Sequence, residues 1–304
     1  MNEIVEKIQE LKKRKNAVIL AHCYQNIEID EVADFVGDSL YLSKKAASTD
    51  ADIIVFAGVY FMAQTAKLLS PNKKVLLPRL ESGCQMADMI DLEQIKKFKS
   101  SHPDLSAVCY INSTAEVKSE CDVCCTSSNA VEIVKNMEAE ELLFLPDTYL
   151  GKWVESQLDG VKIHTYPGFC PTHLKILPVD VINSRKKYPA AKVLAHPECH
   201  QEVTKLADYV GSTSGIMQYA AESRDKTFII ATEKGVAQRL QRDYPDKEFV
   251  LIKNTIVCPN MKWHTLGDIY EALKNERHEI TVDEKIAEKA VNCINKMLCT
   301  AVKS

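Results

Sequence analysis

The sequence predicts an α/β fold of three homologous three-layer αβα units, their parallel sheets arranged about a pseudo-threefold axis with the active site at the centre. Three observations predict it. Apolar runs with polar endings recur at a nearly constant interval, helical patterns follow them in the same register, and each cycle closes on a cysteine. Self-similarity at a fixed period decides architecture before any single motif does.

Each cycle opens on a short apolar run: Ala17–Tyr24, Leu105–Asn112 and Ala191–Glu198. The runs are continuous rather than alternating, which is the pattern of a buried parallel strand. At their ends His22, Tyr110 and His196 are spaced by 88 and 86 residues, and Tyr24, Asn112 and Glu198 keep the same two intervals. Ala33–Ser39, Cys121–Ser127 and Ala207–Thr213 follow, with Asp34, Asp122 and Asp208 in step and Ser39, Ser127 and Thr213 in step. A helical pattern follows each hydroxyl, as in Leu40, Leu42 and Ala46 of the first cycle. Second strands are expected at 52–57, 141–146 and 227–232, and third strands at 74–78, 161–165 and 249–252. The third strands run into Cys84, Cys170 and Cys258, which are 86 and 88 residues apart. The result is three strand–helix–strand–helix–strand units of about 87 residues joined by right-handed crossovers. Unit boundaries are expected at residues 1–86, 87–172 and 173–261, and a helical remainder, 262–304, is expected to pack on the first unit.

A chain of 304 residues exceeds the usual size of one core, in keeping with several units. The net charge of −4 argues against a nucleic-acid binder, which would carry a basic surplus. The one strong basic run, Lys12 to Lys15, reads as the solvated end of an amphipathic helix. No signal peptide and no apolar window of roughly 20 residues is present, so no membrane partner is expected and the protein is expected in the cytoplasm. In that reducing compartment the eleven cysteines do not suggest a disulfide framework.

Three slots of the repeat carry chemistry. One thiol per unit aimed at a shared axis would make a trigonal sulfur platform, and soft thiolates select iron–sulfur clusters, zinc or copper(I). Structural zinc and ferredoxin-type clusters favour short Cys-x₂₋₄-Cys spacings, which Cys84, Cys170 and Cys258 lack. Three ligands on a four-iron cluster would leave one iron open for Lewis-acid chemistry. The competing reading is three buried loop cysteines. Cys121 and Cys124 do form a Cys-x-x-Cys, but the matching segments of the other units have no thiol, which favours packing. Ser39, Ser127 and Thr213 stand near helix starts, where free N–H groups and the helix dipole favour anions; ordinary N-capping is the alternative. His196 and Glu198 lie on one side of an extended segment and suit proton transfer, Tyr24 can act as a weak acid, and Asn112 can only orient or donate.

At this point the residues resemble the quinolinate synthase family. The resemblance rests on the segments 21–25, 34–39, 83–87, 110–114, 125–130, 196–199, 209–213 and 258–262, in that order, and runs from about residue 15 to 265. It implies condensation of iminoaspartate with dihydroxyacetone phosphate, with loss of phosphate and two waters, to form quinolinate for NAD biosynthesis. It also implies a [4Fe–4S] cluster on Cys84, Cys170 and Cys258. Ser39, Ser127 and Thr213 would hold phosphate or carboxylates, His22, Tyr110 and Asn112 would position substrate, and Tyr24, His196 and Glu198 would manage protons. The enzyme that produces iminoaspartate is the candidate protein partner. Two positions depart from the family pattern: Arg79 stands where aspartate is common after proline, and Gln64 where glutamate is. The C-terminal Cys-x-x-Cys-x-x-Cys of some members is absent, so no switch built on it transfers to Cys293 and Cys299. The rival readings are a metal-free phosphosugar enzyme and an iron–sulfur carrier.

Overall fold

The apolar runs form the central strands of three four-stranded parallel sheets in a computed structural model that describes residues 3–300. In the first unit, β1 (Ala17–His22), β2 (Phe35–Gly37), β3 (Ile53–Ala57) and β4 (Lys74–Leu76) lie in the order β2-β1-β3-β4. In the second, β5 (Ala107–Tyr110), β6 (Val123–Cys125), β7 (Glu141–Leu145) and β8 (Lys162–Thr165) repeat that order. In the third, β9 (Lys192–Ala195), β10 (Tyr209–Val210), β11 (Thr227–Ala231) and β12 (Glu248–Leu251) repeat it again. The sequence suggested three strands per unit. The structure adds a short edge strand, β2, β6 or β10, at the aligned aspartates.

Those aspartates explain the edge strand. Asp34, Asp122 and Asp208 each accept the backbone N–H of the residue fifteen positions earlier, Ile19, Ala107 and Val193, at 2.7–2.8 Å. A carboxylate that takes a strand's free N–H sets the register of the chain beside it. Lys12, expected in solvent, is buried in the helix α1 (Glu3–Arg14), where it pairs with Asp34 at 2.8 Å and donates to the Val32 carbonyl. A buried ammonium needs such partners, and the aspartate supplies the charge.

Helices cover both faces of the sheets. The first unit has α2 (Ser39–Ser48) and α3 (Tyr60–Leu69); the second has α4 (Leu92–Ser100), α5 (Ala115–Lys118), α6 (Ala130–Asn136) and α7 (Thr148–Glu155). The third has α8 (Pro178–Lys187), α9 (Gln201–Thr204), α10 (Thr213–Glu222) and α11 (Lys234–Asp243). Beyond them, α12 (Leu266–Asn275) packs Leu266, Ile269 and Leu273 into the core that holds Ile8 and Leu11 of α1. The last helix, α13 (Glu284–Thr300), lies against α5 and β6 of the second unit and against α3. Its Ala290, Ile294 and Met297 join one apolar core shared by the first two units. Burying Ile294 and Met297 fully is worth about 2–3 kcal/mol each. The third unit is tied on by Arg239, a buried side chain of α11 that donates to the Cys23 and Gln25 carbonyls and pairs with Asp30. No described helix is long and apolar enough to cross a membrane.

The two departures are absorbed locally. Gln64 is buried and accepts the N–H of Ala115 at 3.2 Å, while Arg79 pairs with Asp268 of α12 at 3.0 Å.

Candidate active site

Ligands gather beyond the carboxyl ends of parallel strands, and here three sets of strand ends open on one cavity of about 80 Å³. Its lining includes His22, Tyr24 and Ser39 from the first unit, Tyr110, Asn112 and Ser127 from the second, and His196, Glu198 and Thr213 from the third. Cys84, Cys170 and Cys258 line it too. All the candidate residues are therefore neighbours of one space.

The cysteines occupy the same turn in each unit. Every one precedes a single 3₁₀ turn, Ala87–Met89, His173–Lys175 or Asn260–Lys262. In each, the N–H of the residue three further on, Ala87, His173 or Met261, donates to the cysteine sulfur. Such N–H···S contacts favour a thiolate. Burial acts the other way and dominates, pushing the Cys84 thiol up to about 12 and raising Cys170 and Cys258 as well. Like-charge repulsion adds to this, Cys258 acting on both Cys84 and Cys170, and Cys84 acting on Cys170. Three half-buried thiols that resist ionisation and yet are each given an N–H donor fit a soft, positively charged metal centre. The donor set is suited to an iron–sulfur cluster.

A further slot of the repeat, missed in the sequence, holds these turns in place. Val59, Asp147 and Glu233 stand at the N-cap positions of α3, α7 and α11 and keep the 88 and 86 intervals, the signal that could have found them. The two carboxylates cap with their side chains, while Val59 does not. The Asp147 carboxylate receives the N–H of Cys170, and Glu233 receives that of Cys258 at 3.4 Å. Gly168 passes so close to Pro146 that a Cβ would lie 2.5 Å from the Pro146 carbonyl oxygen, so only glycine fits this approach to Cys170.

The hydroxyl slot is not used for capping. Asp38 and Ser212 are the residues whose side chains cap α2 and α10, which leaves Ser39 and Thr213 as first helical residues whose hydroxyls take no part in the caps, Thr213 meeting the Tyr24 hydroxyl instead. Ser128 donates to Asp38 at 3.0 Å and so joins the turn that carries Ser127 to the start of α2.

The histidines are neutral. His22 and His196 accept the N–H of Tyr24 and Glu198 on Nδ1, at 3.1 and 3.3 Å, which leaves the ring proton on Nε2. Burial lowers His22 to about 4 and His196 to about 3. Their folded values lie below the ordinary 6.5, so the stability they confer is present above pH 6.5 and is lost as pH falls towards 4. Denaturant unfolding at pH 6.5 and pH 4 should show a loss of about 3 kcal/mol from His22 alone. A flat profile across that window would contradict its burial as a neutral ring.

Glu198 is buried, which opposes its ionisation, but His196, His173 and the Tyr110 hydroxyl together hold it well below the usual carboxylate range. Because His196 is itself neutral near pH 7, the two hydrogen bonds matter most: Tyr110 donates at 2.6 Å and His173 lies at 2.7 Å. His196 stands 3.7 Å away. His173, not singled out in the sequence, sits three residues after Cys170 and also contacts the Cys170 sulfur at 3.2 Å and Thr232 at 2.8 Å. Cys170, His173 and Glu198 are the one set of metal-capable donors within 4.8 Å of one another among the described residues, although both His173 nitrogens are already engaged. Tyr24 lies between Thr213 and Thr232 at 3.1 and 3.0 Å, and burial raises its phenol well above its ordinary value. The Asn112 carbonyl oxygen is buried without a partner, an acceptor waiting for a donor on a ligand.

A family model described as Quinolinate synthetase A protein matches residues 6–299. A quinolinate synthase of Alkaliphilus metalliredigens is 51% identical over 300 residues, covering 98% of this chain and 99% of its own. Those of Dehalococcoides mccartyi and Aquifex aeolicus are 50% and 47% identical, covering 97% and 98% of this chain and 97% and 94% of theirs.

Proposed function

The chain belongs to the quinolinate synthetase A family and its function is that of a quinolinate synthase; from that premise we propose that it condenses iminoaspartate with dihydroxyacetone phosphate in the central cavity, with a [4Fe–4S] cluster on Cys84, Cys170 and Cys258. The observation that carries the reading is the threefold thiol turn opening onto the cavity that also holds the hydroxyl and proton-transfer slots. When bound, the cluster would supply a Lewis-acidic iron with an open position for a substrate heteroatom.

The chain's own residues supply the rest. Both substrates are anions, and Ser39 and Thr213 offer hydroxyls at the N-termini of two ten-residue helices, with Ser127 beside them. The neutral rings of His22 and His196 can donate from Nε2 to carboxylate or carbonyl oxygen without adding charge. The orphan oxygen of Asn112 suits the imine N–H. Carbon–carbon and carbon–nitrogen bond formation requires protons to leave carbon and nitrogen and reach departing hydroxyls. Glu198, ionised and oriented by Tyr110, is the acceptor, and Tyr24, held as a neutral phenol, is the donor.

The three units act as domains at 1–86, 87–172 and 173–261, with α12 of the remainder packed on the first and α13 chiefly on the second. In this reading the protein works in the cytoplasm, without nucleic acid or membrane, next to an enzyme that supplies the unstable imine.

Protein purified without oxygen should contain about four irons and four sulfides per chain and should convert the two substrates to quinolinate with one phosphate released per turnover. Iron-replete protein that forms no quinolinate would refute the substrates. Colourless, fully active protein would refute the cluster and favour the metal-free alternative.

A further inference from the structure

Outside the cavity, the second unit holds another group of thiols. Cys109 of β5 and Cys124 of β6 are register partners in adjacent parallel strands, so their side chains share a face. The thiols of Cys121 and Cys124 both donate towards the Cys109 sulfur. On the far side Cys124 Sγ meets Cys293 Sγ of α13 at 3.3 Å. Cys109, Cys124 and Cys293 are buried, and Cys121 is half-buried.

The charges around this group are unusual. Lys118 is fully buried beside it, with its ammonium held by the Ile111 and Ser113 carbonyls and near the Phe61 ring, and with no carboxylate in ion-pair range among the described residues. Burial opposes ionisation of Cys109, but the thiols of Cys121 and Cys124, the Lys118 charge and the Ser113 hydroxyl at 2.9 Å outweigh it and hold Cys109 well below an ordinary thiol. A buried cation and a buried thiolate compensate each other. The sulfurs run in a line from Cys121 through Cys109 and Cys124 to Cys293. Tetrahedral metal binding would need them mutually close, at about 3.8 Å for Zn–S bonds of about 2.3 Å, and no such set exists among the described residues.

We infer that Cys121, Cys109, Cys124 and Cys293 form a thiol–disulfide relay, which carries oxidation by a low-molecular-mass disulfide inward from Cys121 to a buried Cys124–Cys293 bond that staples the C-terminal helix to the second sheet. The balance is simple. Cys121, after passing its proton to Cys109, attacks the reagent RSSR and forms a mixed disulfide, releasing one thiolate. Cys109, its proton lost again, attacks the Cys121 sulfur and releases the second thiolate. Cys124 then displaces Cys121 from Cys109, and Cys293 displaces Cys109 from Cys124. Cys124 and Cys293 have together lost two electrons and two protons, and RSSR has become two RSH. The last leaving group is the Cys109 thiolate, stabilised by Lys118, and a better-stabilised thiolate leaves faster.

The test exposes cluster-loaded full-length protein, without oxygen, to glutathione disulfide, then alkylates and maps the peptides with fragmentation. A cross-link between Cys124 and Cys293, reversed by a dithiol, is expected. Cys121→Ser should slow its formation at least tenfold, and Cys293→Ser should halt oxidation at a Cys109–Cys124 bond. Absence of the Cys124–Cys293 bond in the unaltered protein would overturn the inference, as would its formation at an undiminished rate in C121S. The peptide map of the unaltered protein is independent of how well any variant folds.

Discussion

Replacing Cys84 with serine is expected to remove the brown chromophore and to lower quinolinate formation roughly a thousandfold or more, about 4 kcal/mol of lost transition-state stabilisation. Serine keeps the size of the side chain but offers a hard oxygen in place of a soft thiolate, so the loss reports ligation rather than packing. The same result is expected for Cys170→Ser and Cys258→Ser, because each thiol stands in the same 3₁₀ turn with an N–H donor three residues on. Equality of the three is the informative part. Three cysteines that merely filled loops would give three different and smaller losses. The exposed Cys299 is the control, and Cys299→Ser should leave iron content and rate unchanged. Iron analysis, the visible spectrum and turnover under anaerobic conditions check this together. If any one of the three serine variants kept full iron and rate, the three-thiol assignment would fail.

The second large effect is expected at Glu198. Glu198→Gln retains the shape and an oxygen for the Tyr110 hydroxyl, but it removes the charge and the proton acceptor. A fall in kcat of about 10²–10⁴ is expected with iron content unchanged. Tyr24→Phe removes the hydroxyl that joins Thr213 and Thr232, and a loss of about tenfold to a hundredfold is expected there. Iron content separates these variants from the cysteine set. An iron–sulfur carrier would be indifferent to both, so cluster-replete Glu198→Gln protein turning over at the native rate would remove Glu198 from the chemistry. His22 and His196 are neutral well below pH 6, so neither should place a limb in the pH–rate profile near 6.5.

Much of this protein could be read without coordinates, because a repeat writes its architecture into covalent spacing. The 88 and 86 residue intervals located the strand ends, the hydroxyls and the cysteines, since each unit must close the same short crossovers to pair the same strands. The family resemblance then rested on segments at those slots. The edge strands were not legible: Phe35–Gly37 and its counterparts are two or three residues long and are made strands by the neighbouring Asp34, Asp122 and Asp208 rather than by their own pattern. Lys12 looked solvated because its partner lies 22 residues away.

The sequence by itself determined the number of units, the order of their elements and which residue types stand at each slot, all of which depend on local pattern and spacing. Tertiary structure alone decided that the slots share one cavity, that Asp38 and Ser212 take the caps in place of Ser39 and Thr213, and that His173 stands nearer Glu198 than His196 does. It also decided that α13 brings Cys293 to Cys124 across 169 residues of chain. The reason is physical: side chains meet by packing of apolar faces between elements, and that choice is made by shape and burial across the whole molecule rather than by distance along the chain.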